Sequence, residues 1–193
     1  MNATTLAIVI PAAVLTAAWP AWGAQHLDLD VSVDPAGQTL IANVSITTES
    51  PELSFYLADN FIVESVEADG VTIPASRINL DGLQHFQIDL PDAETPSTVA
   101  VRYHGSLQTL DTSMTHDETL NGLRAMSSEA GSYLPGGSGW HPVLAAAFTY
   151  RLRSTVPRGY IAVAPGAPAD EAQSDIARQA SFTMETAVDG IDL

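Results

Sequence analysis

Apolar side chains recur at every second position along much of this chain, and that spacing commits it to extended strands. Leu27, Leu29, Val31 and Val33 alternate with Asp28, Asp30 and Ser32. Successive side chains of a strand point to opposite faces, so a period of two builds one buried face and one wet face. The pattern repeats at Leu40, Ala42, Val44 and Ile46, and again at Leu53, Phe55 and Leu57. Phe61 to Val66 continue it and lead into Asp69-Gly70, a pair suited to a tight hairpin. Between the first two runs lies Asp34-Pro35-Ala36-Gly37, which suits a type I turn with Pro second and Gly fourth. Shorter strands are expected at Val71–Ile73, His85–Leu90 and Thr98–Tyr103. Strands this short and this closely spaced predict an all-β fold, an antiparallel β-sandwich or saddle-like sheet, and exclude an α/β fold.

From Gly105 to Ala147 the alternation fades into Gly, Ser, Thr and Pro, which predicts one long loop, about 105–147. Loops of that length in a compact domain are usually functional or disordered. Alternation returns at Phe148, Tyr150 and Leu152; Val156-Pro157-Arg158-Gly159 turns the chain, and Tyr160 to Ala164 are expected to form the partner strand. After Pro165-Gly166 comes a polar, Ala-rich stretch, then a last strand over Ser181–Thr186. Residues 25–166 read as the β-domain core, and residues 167–193 as the last strand and the start of a connection onward.

Residues 1–24 carry no charged side chain. A short apolar run, Leu6 to Ala18, precedes a small-residue region in which Ala21 and Gly23 suit a cleavage site. The segment reads as a signal peptide, so the chain is expected to be exported, periplasmic or secreted, in a bacterium. The alternative is an uncleaved anchor that keeps the protein membrane-associated, although Pro11 and Pro20 and the short run disfavour a spanning helix. No transmembrane span is expected after signal removal. The chain has 193 residues, 23 Asp and Glu, seven positive side chains that are all Arg, and a net charge of -16. Such a surface repels phosphate backbones, which excludes nucleic acid as a partner. Self-repulsion that favours solubility is the plain reading; no calcium-loop pattern supports a sharper one. Cysteine is absent, which removes disulfides, thiol catalysis and Cys-based zinc sites.

Candidate chemistry is sparse. His116, Asp117 and Glu118 form the densest titratable cluster, but adjacent residues rarely converge on one ion, and a solvated loop explains them. His85 and His104 fall in or beside strands, as a pair that meets across a sheet or as strand-surface residues. No G-x-S-x-G elbow occurs, and the PGGSG stretch has neither the Lys nor the helix start of a phosphate loop. Trp140, with Tyr133 and Leu134, is expected to pack the loop onto the sheet; stacking on a sugar or peptide side chain is the alternative.

Four stretches in order carry a family resemblance. HLDLDVSVDPAGQTLIANVSI resembles the first hairpin of the amino-terminal β-domain in the aminopeptidase N family of zinc metallopeptidases, the gluzincins. SFYLADNFIVESVEADG resembles the next strand and its Asn-Gly-type hairpin, and GSYLPGGSGWHPV is similar to a segment that ends Trp-Tyr-Pro in bacterial members. His141 stands where that Tyr is usual, between Trp140 and Pro142. FTYRLRSTVPRGYIAVAPG resembles the hairpin that follows.

The resemblance implies a β-domain that precedes a catalytic domain bearing the HExxH zinc helix. The five histidines here open HLDLD, HFQID, HGSLQ, HDETL and HPVLA, so HExxH is missing, as is the family's Gly-Ala-Met-Glu-Asn strand. This chain is therefore expected to be non-catalytic, with no catalytic residue and no metal or cofactor of its own, zinc belonging to the absent catalytic domain. The last strand then begins the connection to that domain, and the partner it implies is a metallopeptidase catalytic domain in cis or in trans, with peptide as a further ligand. In the family a Gln or Glu on a β-domain loop holds the substrate's free amine. Glu129, with Ser127 and Ser128 before it, is the nearest match, although the usual Thr-Gln-x-Glu spelling is not kept. Trp140, Pro142 and Tyr133 are implied as the structural loop. The function implied is to shape the substrate cleft for peptide amino termini. The competing reading is a stand-alone periplasmic β-sandwich binding or scaffold module; an adhesin-like anchored sandwich is a third, though no lipobox Cys is present.

Overall fold

A computed structural model describes residues 25–90, 96–111, 113, 115 and 124–193. The strands, in chain order, are β1 (Gln25–Asp34), β2 (Thr39–Thr48), β3 (Glu52–Ala58), β4 (Phe61–Ala68) and β5 (Val71–Thr72). Then come β6 (Ser76–Leu80), β7 (Leu83–Asp89), β8 (Ser97–Ser106), β9 (Gln108–Thr109), β10 (Met126–Ser128) and β11 (Gly131–Tyr133). A single 3-10 turn, Gly136–Ser138, precedes β12 (Val143–Leu144), β13 (Phe148–Pro157), β14 (Ala167–Gln173) and β15 (Ala177–Val188). The all-β expectation holds. An eight-stranded sheet runs β14-β15-β13-β1-β2-β8-β4-β5, a four-stranded sheet runs β12-β3-β7-β6, and a small sheet runs β11-β10-β9.

The two larger sheets share one core. Leu27, Leu29, Val31 and Val33 of β1 are buried, as are Leu40, Ala42, Val44 and Ile46 of β2 and Val99, Val101 and Tyr103 of β8. Leu53, Phe55 and Leu57 of β3 and Phe86 and Ile88 of β7 join the same cluster from the other sheet. Every second residue thus leaves water, at roughly 25 cal/mol for each square ångström of apolar surface removed. Gln84, buried in β7, donates to the carbonyls of Ala58 and Phe61 and so ties the sheets together without orphaning a polar group.

Several features differ from the sequence expectation. The first turn is shifted by one residue: Gln38 N–H donates to the Pro35 carbonyl at 3.3 Å, and Gln38 takes the left-handed conformation at φ 51. Tyr160 to Ala164 form no strand. They alternate in exposure, but among the described residues no strand pairs with them, and the antiparallel edge of β13 is taken by β15. The polar stretch after Gly166 is itself the edge strand β14. The 105–147 stretch is not one open loop; it contains the end of β8, then β9, β10, β11, the 3-10 turn and β12. Finally, β1 and β13 pair in parallel, with Leu27 beside Tyr150 and Leu29 beside Leu152.

Candidate functional site

The β10–β11 hairpin is the element on which the expected substrate-facing residues lie, and its backbone is fixed from three sides. Ser127 is fully buried and donates its hydroxyl to the Pro35 carbonyl at 3.0 Å. That leaves the Ser127 oxygen to accept from Ser132 across the hairpin at 2.6 Å. Gln38 donates to the Ser127 carbonyl at 2.8 Å, and the Tyr160 hydroxyl donates to the Glu129 carbonyl at 2.8 Å. Ser128 caps the turn by accepting from the Ala130 N–H. The Glu129 side chain, at the tip, is exposed. An anchored turn therefore presents a carboxylate that no bond among the described residues consumes.

Beside the hairpin lies a groove of about 410 Å³. Val33, Ala130, Leu134, Val163 and Leu193 line it. Ser154 lines it too, and its hydroxyl is buried without a hydrogen-bond partner. Buried polar groups are normally satisfied, so this one is an exception within the groove wall. On the rim, Ile161 and Val163 are 66% and 72% exposed. The unpaired 160–164 segment holds them there: Tyr160 is bonded to the hairpin and Pro165 accepts from the Tyr150 hydroxyl.

Behind the hairpin, Trp140 is fully buried, which fits the packing role. Its indole N–H donates to the Ile191 carbonyl, and its own carbonyl accepts from the buried Tyr103 hydroxyl, both at 2.9 Å. Burial also drives the Tyr103 phenol far above its ordinary pKa, so it stays a neutral donor. Pro142 is buried beside it, whereas Tyr133 is 42% exposed. The structure does not bring His85 and His104 together, because β7 and β8 belong to different sheets. His85 sits 2.7 Å from the Ser54 hydroxyl and stacks on Tyr56, and His104 pairs with Glu64 at 2.9 Å. His116, Asp117 and Glu118 lie outside the described residues. Among the described residues no three His, Asp or Glu side chains gather as a metal would require. His141, which the sequence marks only as a departure from Tyr, is fully buried next to Trp140; its neighbours in the carboxyl-terminal segment lie fifty residues away and gave no local signal.

No protein-family model and no curated protein matches the sequence. Solved structures do match. An M1 zinc metallopeptidase from Deinococcus radiodurans, solved with a Tyr-Ser-Ala substrate, superposes with a TM-score of 0.67 over 90% of this chain at 18% identity. The chain has the fold found in M1 zinc metallopeptidases. Legionella pneumophila aminopeptidase A matches over 86% of the chain with a TM-score of 0.61 and 10% identity. Yeast LTA4 hydrolase matches over 86% with a TM-score of 0.57 and 16% identity. The chain spans 44%, 20% and 28% of those three structures respectively, less than half the length of each. Among the described residues no helix is long and apolar enough to cross a membrane.

Proposed function

We propose that this chain is the non-catalytic amino-terminal β-domain of an M1-type zinc metallopeptidase, as a fragment or a stand-alone relative, and that it works exported from the cell. The agreement of fold over nine-tenths of the chain, against less than half of each matched peptidase, carries this reading. The catalytic domain, in cis or in trans, supplies zinc and the reacting groups. The apolar rim at Ile161 and Val163 is the surface on which it packs, since large exposed apolar side chains next to a groove mark an interface. Glu129 then faces the shared cleft. A carboxylate there holds a peptide's amino-terminal ammonium through charge-assisted hydrogen bonds, which strengthen as water is excluded.

The decisive experiment purifies the native gene product from its source with metal retained and measures intact mass and aminopeptidase activity. A polypeptide well above 20.4 kDa, or a tightly bound companion chain, that releases amino-terminal residues in a metal-dependent way supports the proposal. The mature chain alone, without zinc or activity, overturns it in favour of a stand-alone binding or scaffold module. In the active protein, Glu129→Gln should raise KM for peptides by about tenfold to a hundredfold, the loss of one charge-assisted contact of 1.5–3 kcal/mol.

A further inference from the structure

The segment Gly190–Leu193 is not a free tail. Leu134 and Leu193 exchange two backbone hydrogen bonds at 2.9 and 3.1 Å. Gly136 N–H donates to the Asp192 carboxylate at 2.8 Å, and Trp140 donates to the Ile191 carbonyl. In a further bond, Ile191 N–H donates to Nε2 of His141 at 3.2 Å. Ile191 is fully buried, so its N–H has no water to turn to. The approach is close enough that a Cβ on Gly136 would lie 2.8 Å from the Ile191 nitrogen, which only glycine permits.

The partners fix the protonation state of His141. Its Nδ1 lies 2.8 Å from the Pro142 carbonyl, which can only accept, so Nδ1 carries the hydrogen. Nε2 must then be bare to accept from Ile191. A proton added at Nε2 sets it against the Ile191 N–H and leaves the ring only the Gly136 backbone to donate to, in a buried site walled by Trp140 and Phe148. We propose that His141 is a pH-sensitive latch: neutral, it holds Gly190–Leu193 against the 134–141 segment, and protonated, it lets that segment go.

The surrounding charges do not cancel this. Among the described residues, the charged group that acts on the ring is Asp192, on the latched segment. The Pro142 and Gly136 backbone carbonyls favour the cation, and so does Asp192, which is exposed and whose own bond is to the Gly136 N–H. Burial dominates for His141 and pushes its pKa down to about 4, so release belongs to acid conditions. Leu134 and Leu193 both line the groove beside the hairpin, so opening the latch removes part of its wall. If the groove is the docking surface proposed above, acidification loosens the docking as well.

Amide hydrogen exchange on the full chain tests the latch. Protection of the Ile191 and Leu193 amides, corrected for intrinsic rates, should fall about tenfold or more between pH 7 and pH 4 while β1 and β2 amides hold theirs. His141→Gln, whose amide can accept from Ile191 and donate to Pro142 without titrating, should abolish that fall, and Asp192→Asn should leave it in place. Unchanged protection in the parent chain, or an equal fall in His141→Gln, overturns the proposal. Should His141→Gln not fold, the imidazole nitrogen shifts decide: a bare Nε2 at pH 7 is required, and a protonated Nε2 overturns the latch.

Discussion

The indole of Trp140 donates to the carbonyl of Ile191, 51 residues further along the chain, at 2.9 Å inside the core. This bond and the one from Tyr103 to the Trp140 carbonyl make Trp140 the joint between the large sheet, the Gly-rich segment and the carboxyl-terminal segment. Trp140→Phe keeps most of the ring but orphans a buried carbonyl, and should cost about 1–3 kcal/mol. Trp140→Ala adds a cavity and should cost about 3–5 kcal/mol. Urea unfolding followed by circular dichroism measures both. A cost below 1 kcal/mol for Trp140→Ala would show that the joint is peripheral.

Stability should fall on acidification through His141. The unfolded imidazole takes up its proton near pH 6.5, the folded one only near pH 4. Between those values the unfolded chain binds more protons, so stability is full above about pH 6.5 and declines as pH falls toward 4. The depression of about 2.5 units corresponds to about 3 kcal/mol at most. Carboxylates titrate in the same range, so the measurement is the difference between the parent chain and His141→Gln. Parallel stability curves from pH 7 to pH 4 would remove His141 from the account.

The strands that alternate were legible because their side chains divide cleanly between core and water, as in β1, β2 and β8. Outside the 105–147 stretch, two strands escaped for the opposite reason. Every residue of β6 and of β14 is exposed, so burial wrote no period into Ser76–Leu80 or Ala167–Gln173. Tyr160 to Ala164 misled in the other direction: period two reports extended backbone, not pairing. The parallel register of β1 with β13 joins residues more than a hundred positions apart, such as His26 and Thr149, and no local pattern encodes it. At the site, Trp140 was readable from its size and apolarity. The partnership of His141 with Ile191 was not, because it is made by tertiary packing across 50 residues.

Gly139 is expected to be intolerant of a side chain. Its φ is 74, and a Cβ there would stand 2.6 Å from the Ala58 nitrogen, a backbone atom that already donates to the Gly139 carbonyl. Left-handed strain of about 1–2 kcal/mol adds to that clash. Gly139→Ala should therefore cost about 2 kcal/mol or more, whereas Gly137→Ala, with nothing within 4 Å of its Cβ, should cost about 0.5–1 kcal/mol less than that or nothing. Thermal unfolding of the two variants side by side makes the comparison. Equal losses would mean that the local backbone shifts to relieve the clash.

The exposed rim separates folding from assembly. Ile161 and Val163 lie on a segment outside every sheet, with about two-thirds or more of their surface in water, so burial within this chain gives them little to lose. Ile161→Asp with Val163→Asp should leave the unfolding midpoint of the chain within about 0.5 kcal/mol of the parent. In the native, metal-loaded assembly the same pair should place two carboxylates in an apolar contact. An unpaired buried charge is far costlier than a lost methyl group. Loss of the catalytic partner on gel filtration, or of aminopeptidase activity at unchanged chain stability, is the expected outcome. Full activity with both carboxylates in place would move the docking surface away from this rim.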